Sequence, residues 1–248
     1  MVLTFLGLLV GVFSGLLGVG GGIMLVPALV ALKYPPINAV ANSALAVLLI
    51  VLSGTFFHYD KKNYNLKNLA IMALPCVVTT QVGVLVANYI NPALLMILFG
   101  FLILAAFLLF VLKASSQGQP AQAAKSSLTS LLIVGSIAGY LSGMFGVGGG
   151  VILVPLQVLF LRFGLKNAVR NSLAVVLVAS CFSTFGHAIL GNIIFKDAFL
   201  IGLGGVAGAQ IGARLVPKIS ERIMAQLFMI VLFMLAIYVF WQAFNFSH

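Results

Sequence analysis

The sequence predicts an all-α polytopic transmembrane helical bundle made of two inverted-topology repeats. Hydrophobic residues make up 62% of the 248 residues and charged residues only 6%, whereas a soluble domain carries about 25% charged residues. The stretch 93–112 contains no polar side chain, and such a run is typical of a membrane-spanning helix. We therefore attribute the net charge of +10 to membrane topology and expect no nucleic-acid partner.

An internal duplication indicates how the bundle is built. The segment GLLGVGGGIMLVP at 15–27 returns as GMFGVGGGVILVP at 143–155. Further on, NAVANSALAVLL at 38–49 returns as NAVRNSLAVVLV at 167–178. Duplicated halves are common in secondary transporters, so polar residues retained in both copies are the first candidates for function.

Each half divides into five apolar segments, and a polar stretch joins the halves. Repeat 1 covers residues 1–112, the linker 113–127 and repeat 2 128–248. The predicted segments of repeat 1 are 2–17, 23–32, 37–57, 68–88 and 92–112. Those of repeat 2 are 128–145, 151–161, 167–190, 197–216 and 222–244. The linker is rich in Ser, Gln and Ala without an apolar period, which is typical of a surface loop.

The first two segments of each half predict a hairpin broken by glycine. The second segment is about ten residues long, or about 15 Å as a helix, which is half of the hydrocarbon core. It follows the sequence GVGGG, which does not easily continue a helix. We expect a helix that enters the membrane, a glycine break, and a half-helix that returns to the same side. Three spanning helices then complete each half.

The positions of the 13 Lys and Arg residues favour halves of opposite orientation. Suppose that each hairpin returns to its own side of the membrane and that the two halves have opposite orientations. Lys33 and Lys196 then lie outside, and every other cation lies in the cytoplasm. Parallel halves would divide the cations almost evenly, which the positive-inside rule disfavours. We therefore predict a multi-pass protein of the inner (cytoplasmic) membrane with a cytoplasmic linker and both termini outside. The first segment has no basic flank or cleavage site, so we expect a retained helix rather than a signal peptide.

The glycine breaks are the first candidate substrate-binding elements. They contain Gly20, Gly21, Gly22, Gly148, Gly149 and Gly150. Turns without Cβ atoms can direct backbone N–H groups into a cavity, and the helices that begin there add the positive ends of their dipoles. Such a site suits an anion that must be released again. The alternative is close helix packing through small residues. A dinucleotide fingerprint does not fit, because no strand precedes the glycines.

Uncharged polar residues retained in both copies extend the candidate substrate site. They are Asn42, Ser43, Gln81, Asn171, Ser172 and Gln210. Amides and hydroxyls inside an apolar helix need partners, and these partners are either oxyanions or neighbouring helices. The two glutamines could meet near the pseudo-two-fold axis of the repeats.

A second group consists of candidates for proton coupling or gating. They are Thr55, His58, Thr184, His187, Pro27 and Pro155. The threonine and the histidine of each half are spaced to lie on one helix face, and histidine exchanges protons near neutral pH. The alternative is an interfacial histidine whose hydrogen bonds are satisfied by a loop. The prolines weaken the half-helices and are interpreted either as kinks or as hinges.

The sequence lacks the residues that several classes of function require. Asp60, Asp197 and Glu221 all lie near segment ends, whereas cation carriers usually place a carboxylate at mid-membrane. No nucleotide-binding motif, metal-ligand cluster or paired nucleophile and base is present. We therefore expect no enzyme activity, no cofactor and no metal. Cys76 and Cys181 lie in apolar runs and are predicted to be buried free thiols.

The doubled GxGGGxxxxP signature, each copy followed by a helix that starts with an Asn-Ser pair, resembles the TauE/SafE family of membrane permeases. This family is also called the sulfite exporter or toluene sulfonate uptake family, and the resemblance covers nearly the whole chain. It implies a transporter of a small sulfur-containing anion, such as sulfite, thiosulfate or an organosulfonate. Together with the residues, it predicts alternating access of two inverted halves around a central site. An anion channel, or a carrier of other small organic anions, is the alternative. The expected partners are the anionic substrate and the lipid bilayer, and the sequence indicates no oligomeric state.

Overall fold

A computed structural model of the protein describes residues 1–17, 20–58, 66–114, 127–161, 163–216 and 219–246. Within these ranges the chain forms α-helices joined by turns and loops, with no β-strand. They are α1 (Val2–Leu17), α2 (Gly22–Ala31), α3 (Pro36–His58), α4 (Leu66–Tyr89), α5 (Pro92–Ala114), α6 (Leu128–Phe145), α7 (Gly150–Phe160), α8 (Leu165–Ile189), α9 (Phe195–Leu215) and α10 (Glu221–Phe246). Each predicted apolar segment is confirmed as one helix, with ends close to those expected.

The lengths and surfaces of these helices fit a multi-pass membrane protein. Among the described residues, 7 helices are long and apolar enough to cross a membrane, and the shorter apolar ones are α1, α2 and α7. Large apolar side chains lie on the outside of the bundle, where Leu74 is 74% exposed and Met234 66% exposed. Lipid tails solvate such side chains, so this surface needs no polar cover.

The half-helices α2 and α7 begin at glycines in the left-handed conformation. Gly20 and Gly21 have φ angles of 80° and 76°, and Gly148 and Gly149 have φ angles of 69° and 74°. Residues with a Cβ atom rarely adopt such angles, so the chain breaks here because it carries glycine. The half-helices that follow contain 10 and 11 residues, as the sequence predicts.

Each half packs its first helix against the fourth helix of the other half. α1 lies along α9, and its counterpart α6 lies along α4. Glycine permits backbone contact in both pairs, because a Cβ on Gly11 would clash with the Gly205 backbone and one on Gly139 with the Cys76 carbonyl. Such contacts between small residues are a usual means of helix association in membranes.

The contacts also give the directions in which the helices run. α1 and α9 run in the same direction, as do α4 and α6, because later residues of one helix meet later residues of the other. α3 and α8 run in opposite directions. Asn38, near the start of α3, bonds Asn192 just beyond the end of α8, whereas Val47 and Val176, midway along both helices, both contact Gly148. The orientation of the two halves across the membrane stays a prediction.

The first half-helix returns to the side from which α1 starts. Gly21, at the beginning of α2, lies beside Ser14 in the last part of α1. Tyr34, just beyond the end of α2, bonds Asp197 at the start of α9. Because α9 runs alongside α1 in the same direction, this end of α9 lies near the beginning of α1. The predicted hairpin is therefore present in repeat 1.

The prediction that both cysteines are buried is wrong for one of them. Both are free thiols, but only Cys76 is buried, whereas Cys181 is exposed on the outer face of α8. An apolar run shows that a segment avoids water. It does not show whether a given position faces the bundle core or the outer surface, and Cys181 lies on the outer surface.

The contact between α1 and α9 predicts that Gly11→Ala destabilises the protein. The added methyl group would clash with the Gly205 backbone, and overpacking costs about 1–3 kcal/mol. Gly54→Ala is the matched control, since a Cβ at Gly54 meets no atom of the described residues within 4 Å and alanine favours a helix over glycine. Thermal unfolding of detergent-purified protein should show a lower midpoint for Gly11→Ala only. Equal midpoints for the two variants would contradict this packing.

Candidate functional site

The two glycine breaks form a pair of loops that meet inside the bundle. We call residues 20–22 loop 1 and residues 146–150 loop 2. Loop 1 is in backbone contact with loop 2, and both loops contact the side chains of Val47 and Val176. These valines correspond under the repeat, and each lies midway along its helix, α3 or α8. The loops therefore cross at equivalent positions midway along α3 and α8.

Both loops end at helix N-termini that lack a side-chain cap. The N-cap residues, Gly21 and Gly149, make no side-chain cap hydrogen bond. The first N–H groups of a helix have no partner within the helix, and the dipole adds partial positive charge there. The hydroxyl of Ser14, beside Gly21, is buried without a hydrogen-bond partner among the described residues, as is that of its counterpart Ser142. Neutral donors therefore gather at the loops.

The two candidate serines have different surroundings. Ser43 Oγ donates a hydrogen bond of 2.9 Å to the carbonyl oxygen of Gly146, in loop 2. Ser172 Oγ accepts one of 3.3 Å from Nε2 of Gln157, in α7. Gln157 is fully buried, and its Oε1 has no partner in the described part of the chain. The structure thus brings Ser43 to the loops and ties Ser172 to the half-helix that follows loop 2.

Asn42 and Asn171 also differ. Asn42 is fully buried, and its Oδ1 accepts a hydrogen bond of 2.7 Å from the backbone N–H of Ile194, the N-cap of α9. Its Nδ2 has no partner among the described residues. Asn171 is half-buried. Asn42 therefore holds α3 against the start of α9 and keeps one amide donor unused.

The two glutamines make equivalent contacts between helices. Gln81 Nε2 donates to the carbonyl oxygen of Phe182 at 2.8 Å, and Gln210 Nε2 donates to Ser53 Oγ at 3.4 Å. Phe182 and Ser53 correspond under the repeat. Gln81 thus joins α4 to α8, and Gln210 joins α9 to α3. The glutamines bond other helices rather than each other.

His187 joins α8 to α6. Its Nε2 lies 3.0 Å from the carbonyl oxygen of Gly143, and a carbonyl can only accept, so Nε2 carries the proton and donates it. Nδ1 of His187 and Oγ1 of Thr184 are buried without partners among the described residues. The side chains of Thr55 and His58 lie outside the described residues.

The prolines lie inside the two half-helices, and both are buried. The carbonyl oxygen of Pro27 accepts a hydrogen bond of 3.5 Å from Nε2 of Gln242, in α10. This bond links α2 to the last helix of the other half.

A polar network lies at the end of the bundle where α2 meets α9. Tyr34 Oη donates to Asp197 Oδ2 at 2.6 Å. This hydrogen bond, then burial and the negative charge of Asp197, raise the pKa of Tyr34 to about 12. Asn192 connects the halves, because its carbonyl oxygen accepts from Asn38 Nδ2 at 2.9 Å and its Nδ2 donates to Asn88 Oδ1 at 3.1 Å.

The sequence reasoning missed three buried polar residues near the loops. Ser14 and Ser142 are serine in both copies, so the same comparison that selected the glutamines could have found them. Gln157 corresponds to Leu29, and a repeat comparison gives no signal there. In the part of the chain that the structure describes, no cluster of His, Cys, Asp and Glu could hold a metal ion.

Comparison with known proteins indicates transport across a membrane. The family profile described as sulfite exporter TauE/SafE matches residues 3–239. The probable membrane transporter protein YunE of Bacillus subtilis is 25% identical over 95% of each chain. A probable membrane transporter protein of Xylella fastidiosa is 29% identical over 96% of this chain and 93% of its own. Another, from Methanocaldococcus jannaschii, is 27% identical over 89% and 88%. No solved structure matches the chain significantly.

The bond of Asn42 predicts that Asn42→Ala lowers stability more than Asn171→Ala does. Removal of the Asn42 amide leaves the Ile194 N–H without its acceptor, and an unsatisfied buried group costs about 1–3 kcal/mol. Asn171 occupies the equivalent position but is only half-buried, so it serves as the matched control. Thermal unfolding without substrate should give the lower midpoint for Asn42→Ala. Similar losses in both variants would contradict a structural role specific to Asn42.

Proposed function

We propose, from the premise that the chain belongs to the sulfite exporter TauE/SafE family, that this membrane transporter carries a small sulfur-containing anion. Sulfite, thiosulfate and organosulfonates are the candidate substrates, and the cytoplasmic membrane is the expected location. The single observation that carries the proposal is the crossing of loop 1 and loop 2 beside Val47 and Val176. No catalytic step is part of the proposed function.

The donors at the crossing suit an anion. Two uncapped helix N-termini and the hydroxyls of Ser14 and Ser142 converge on the loops without a full positive charge among them. Neutral donors and dipoles bind an anion without forming a strong ion pair, so that it can leave again. A sulfur oxyanion has several acceptor oxygens around one centre, and we expect these oxygens to face the two helix ends from opposite sides.

The candidate residues divide into two groups in this proposal. Loop 1, loop 2 and Ser43 contact the substrate, with the unused amide of Asn42, Asn171 and Ser172 close behind. Gln81 and Gln210 hold the helices that frame the site, since both already bond a neighbouring helix.

The helix directions support a mechanism of alternating access. α1 and α3 pack on α9, whereas α6 and α8 pack on α4, which gives two groups of three helices. α3 and α8 run in opposite directions, as expected if the halves are inverted. We propose that the two groups rock about the region where Val47 and Val176 lie against the loops, so that the glycine loops face each side of the membrane in turn.

A first test is a substrate panel with variants at the crossing. Val176→Phe places a ring between the two loops and should lower the affinity for sulfite or thiosulfate at least tenfold. Leu52→Phe is the matched control, because Leu52 also lies on a long helix but is 38% exposed. Thermal shift and flux in proteoliposomes should be measured with sulfite, thiosulfate, sulfate, sulfonates and carboxylates. Wild-type flux from folded Val176→Phe protein would contradict the site.

The same proteoliposomes separate a carrier from an anion channel. A carrier should show saturation and counterflow, in which an internal pool of substrate accelerates uptake of labelled substrate. A channel would instead pass large currents that do not saturate. Large currents that do not saturate, without counterflow, would overturn alternating access and leave the anion site itself standing.

A second test concerns proton coupling through His187. If its unpartnered Nδ1 takes up the coupled proton, His187→Gln should reduce the dependence of uptake on pH. Glutamine keeps a donor for the Gly143 carbonyl and so preserves the contact of α8 with α6. Ser183→Ala is the control, since it removes a bond of 3.2 Å between the same helices without removing a titratable group. An unchanged pH profile in His187→Gln would rule out this coupling.

A further inference from the structure

A groove of about 470 Å³ lies where the end of α2 meets the end of α10. Its polar and aromatic lining consists of Lys33, Tyr34, Tyr238, Trp241 and Gln242. The groove is separate from the glycine loops, and the proposed transport function does not use it. Its aromatic lining is not duplicated either, because the repeat counterparts of Tyr238 and Trp241 are Leu109 and Leu112.

Lys33 holds an unusual backbone conformation at the mouth of this groove. In the described part of the chain it is the only residue besides glycine with a positive φ, 69°. Its N–H bonds the Val30 carbonyl at 3.0 Å, and the next N–H bonds the Leu29 carbonyl at 3.1 Å. Glycine is the usual residue at this position, just beyond the C-terminal end of a helix. Lysine at this strained position places an ammonium group on the groove. Backbone strain of this kind is often found at functional sites.

Gln242 supplies a buried polar group inside the same groove. The residue is 7% exposed, and within the described part of the chain its Nε2 makes only the long bond of 3.5 Å to Pro27. Its Oε1 has no partner among the described residues. Buried polar atoms nearly always have a hydrogen-bond partner. A ligand with a donor group in the groove would supply the missing one.

An exposed apolar face of α10 leads into the groove. Met234, Ile237 and Trp241 are 66%, 57% and 63% exposed, and their spacing places them on one side of the helix. Trp and Tyr are enriched at the boundary between lipid tails and headgroups. The groove thus combines a cation, interfacial rings and a track along which acyl chains can lie.

We propose that this groove binds the headgroup of an anionic phospholipid that carries free hydroxyl groups, such as phosphatidylglycerol. The phosphate lies against Lys33, and a headgroup hydroxyl donates to Oε1 of Gln242. The acyl chains lie along the exposed face of α10. The lipid thereby joins the end of the first half-helix to the last helix of the other half.

The chain allows a direct experiment, because Trp241 is its only tryptophan. In vesicles of phosphatidylcholine, brominated phosphatidylglycerol should quench Trp241 fluorescence more strongly than brominated phosphatidylcholine. One lysine near a membrane surface corresponds to about a fivefold preference for the anionic lipid. Lys33→Gln should bring this preference close to one, and Lys33→Arg should retain it. In the unaltered protein the preference should fall as salt is added.

Control variants separate this site from general surface charge. Lys196→Gln removes an exposed cation at the start of α9 that does not line the groove, and it should keep the preference. Brominated phosphatidic acid lacks the headgroup hydroxyls. Gln242→Leu should therefore weaken the binding of phosphatidylglycerol more than that of phosphatidic acid, relative to the unaltered protein, and leave the preference of both over phosphatidylcholine.

Three results would overturn the proposal. The first is equal quenching by brominated phosphatidylglycerol and brominated phosphatidylcholine in the unaltered protein. The second is an equal loss of preference in Lys33→Gln and Lys196→Gln, which would indicate attraction to the surface as a whole. The third is displacement of brominated lipid by free glycerol phosphate at the concentration at which unbrominated phosphatidylglycerol displaces it. That result would assign the groove to a soluble anion.

Discussion

The bundle depends on direct backbone contact between two glycine loops midway along α3 and α8. Within a bilayer no water is available for broken helices, so irregular backbone survives only where protein or a polar cavity surrounds it. Loop 1 and loop 2 pack against each other, and neighbouring residues that include Val47 and Val176 pack around them. The short half-helices follow from this arrangement, because a helix that starts at mid-membrane needs only half the usual length to reach the surface.

The frame around the loops repeats its bonds in both halves, whereas the loop contacts do not. Gln81 and Gln210 bond equivalent positions of α8 and α3. By contrast, Ser43 bonds loop 2, and its counterpart Ser172 bonds a glutamine that repeat 1 lacks. Because the two halves of the frame make equivalent bonds, a rocking movement can break contacts at one end of the bundle and form similar contacts at the other end. The net cost in free energy of such a movement is small. The differences at the loops are the places where the two faces of the protein can acquire different affinities.

The sequence predicts the helices and their breaks well, because these depend on local composition. Apolar runs set the spans, and glycines with positive φ set the breaks. The partners of the polar residues could not be predicted in the same way. Asn42 bonds Ile194, which lies 152 residues away in the chain, and Gln81 bonds Phe182 across 101 residues. Retention in both copies shows that a residue is constrained, but the constraint on these two is a contact between halves that only tertiary packing reveals.

Packing and anion binding are compatible explanations of the glycines. A Cβ on Gly22 would clash with the Val147 backbone, so close contact of the loops requires glycine whether or not a ligand binds. The same missing Cβ atoms leave the first N–H groups of α2 and α7 open to any anion that enters when the loops separate. The contact that closes the bundle and the donors that would hold the substrate therefore share one backbone. In the proposed mechanism, substrate entry would replace the contact between the loops, and this exchange would link binding to the relative position of the two halves.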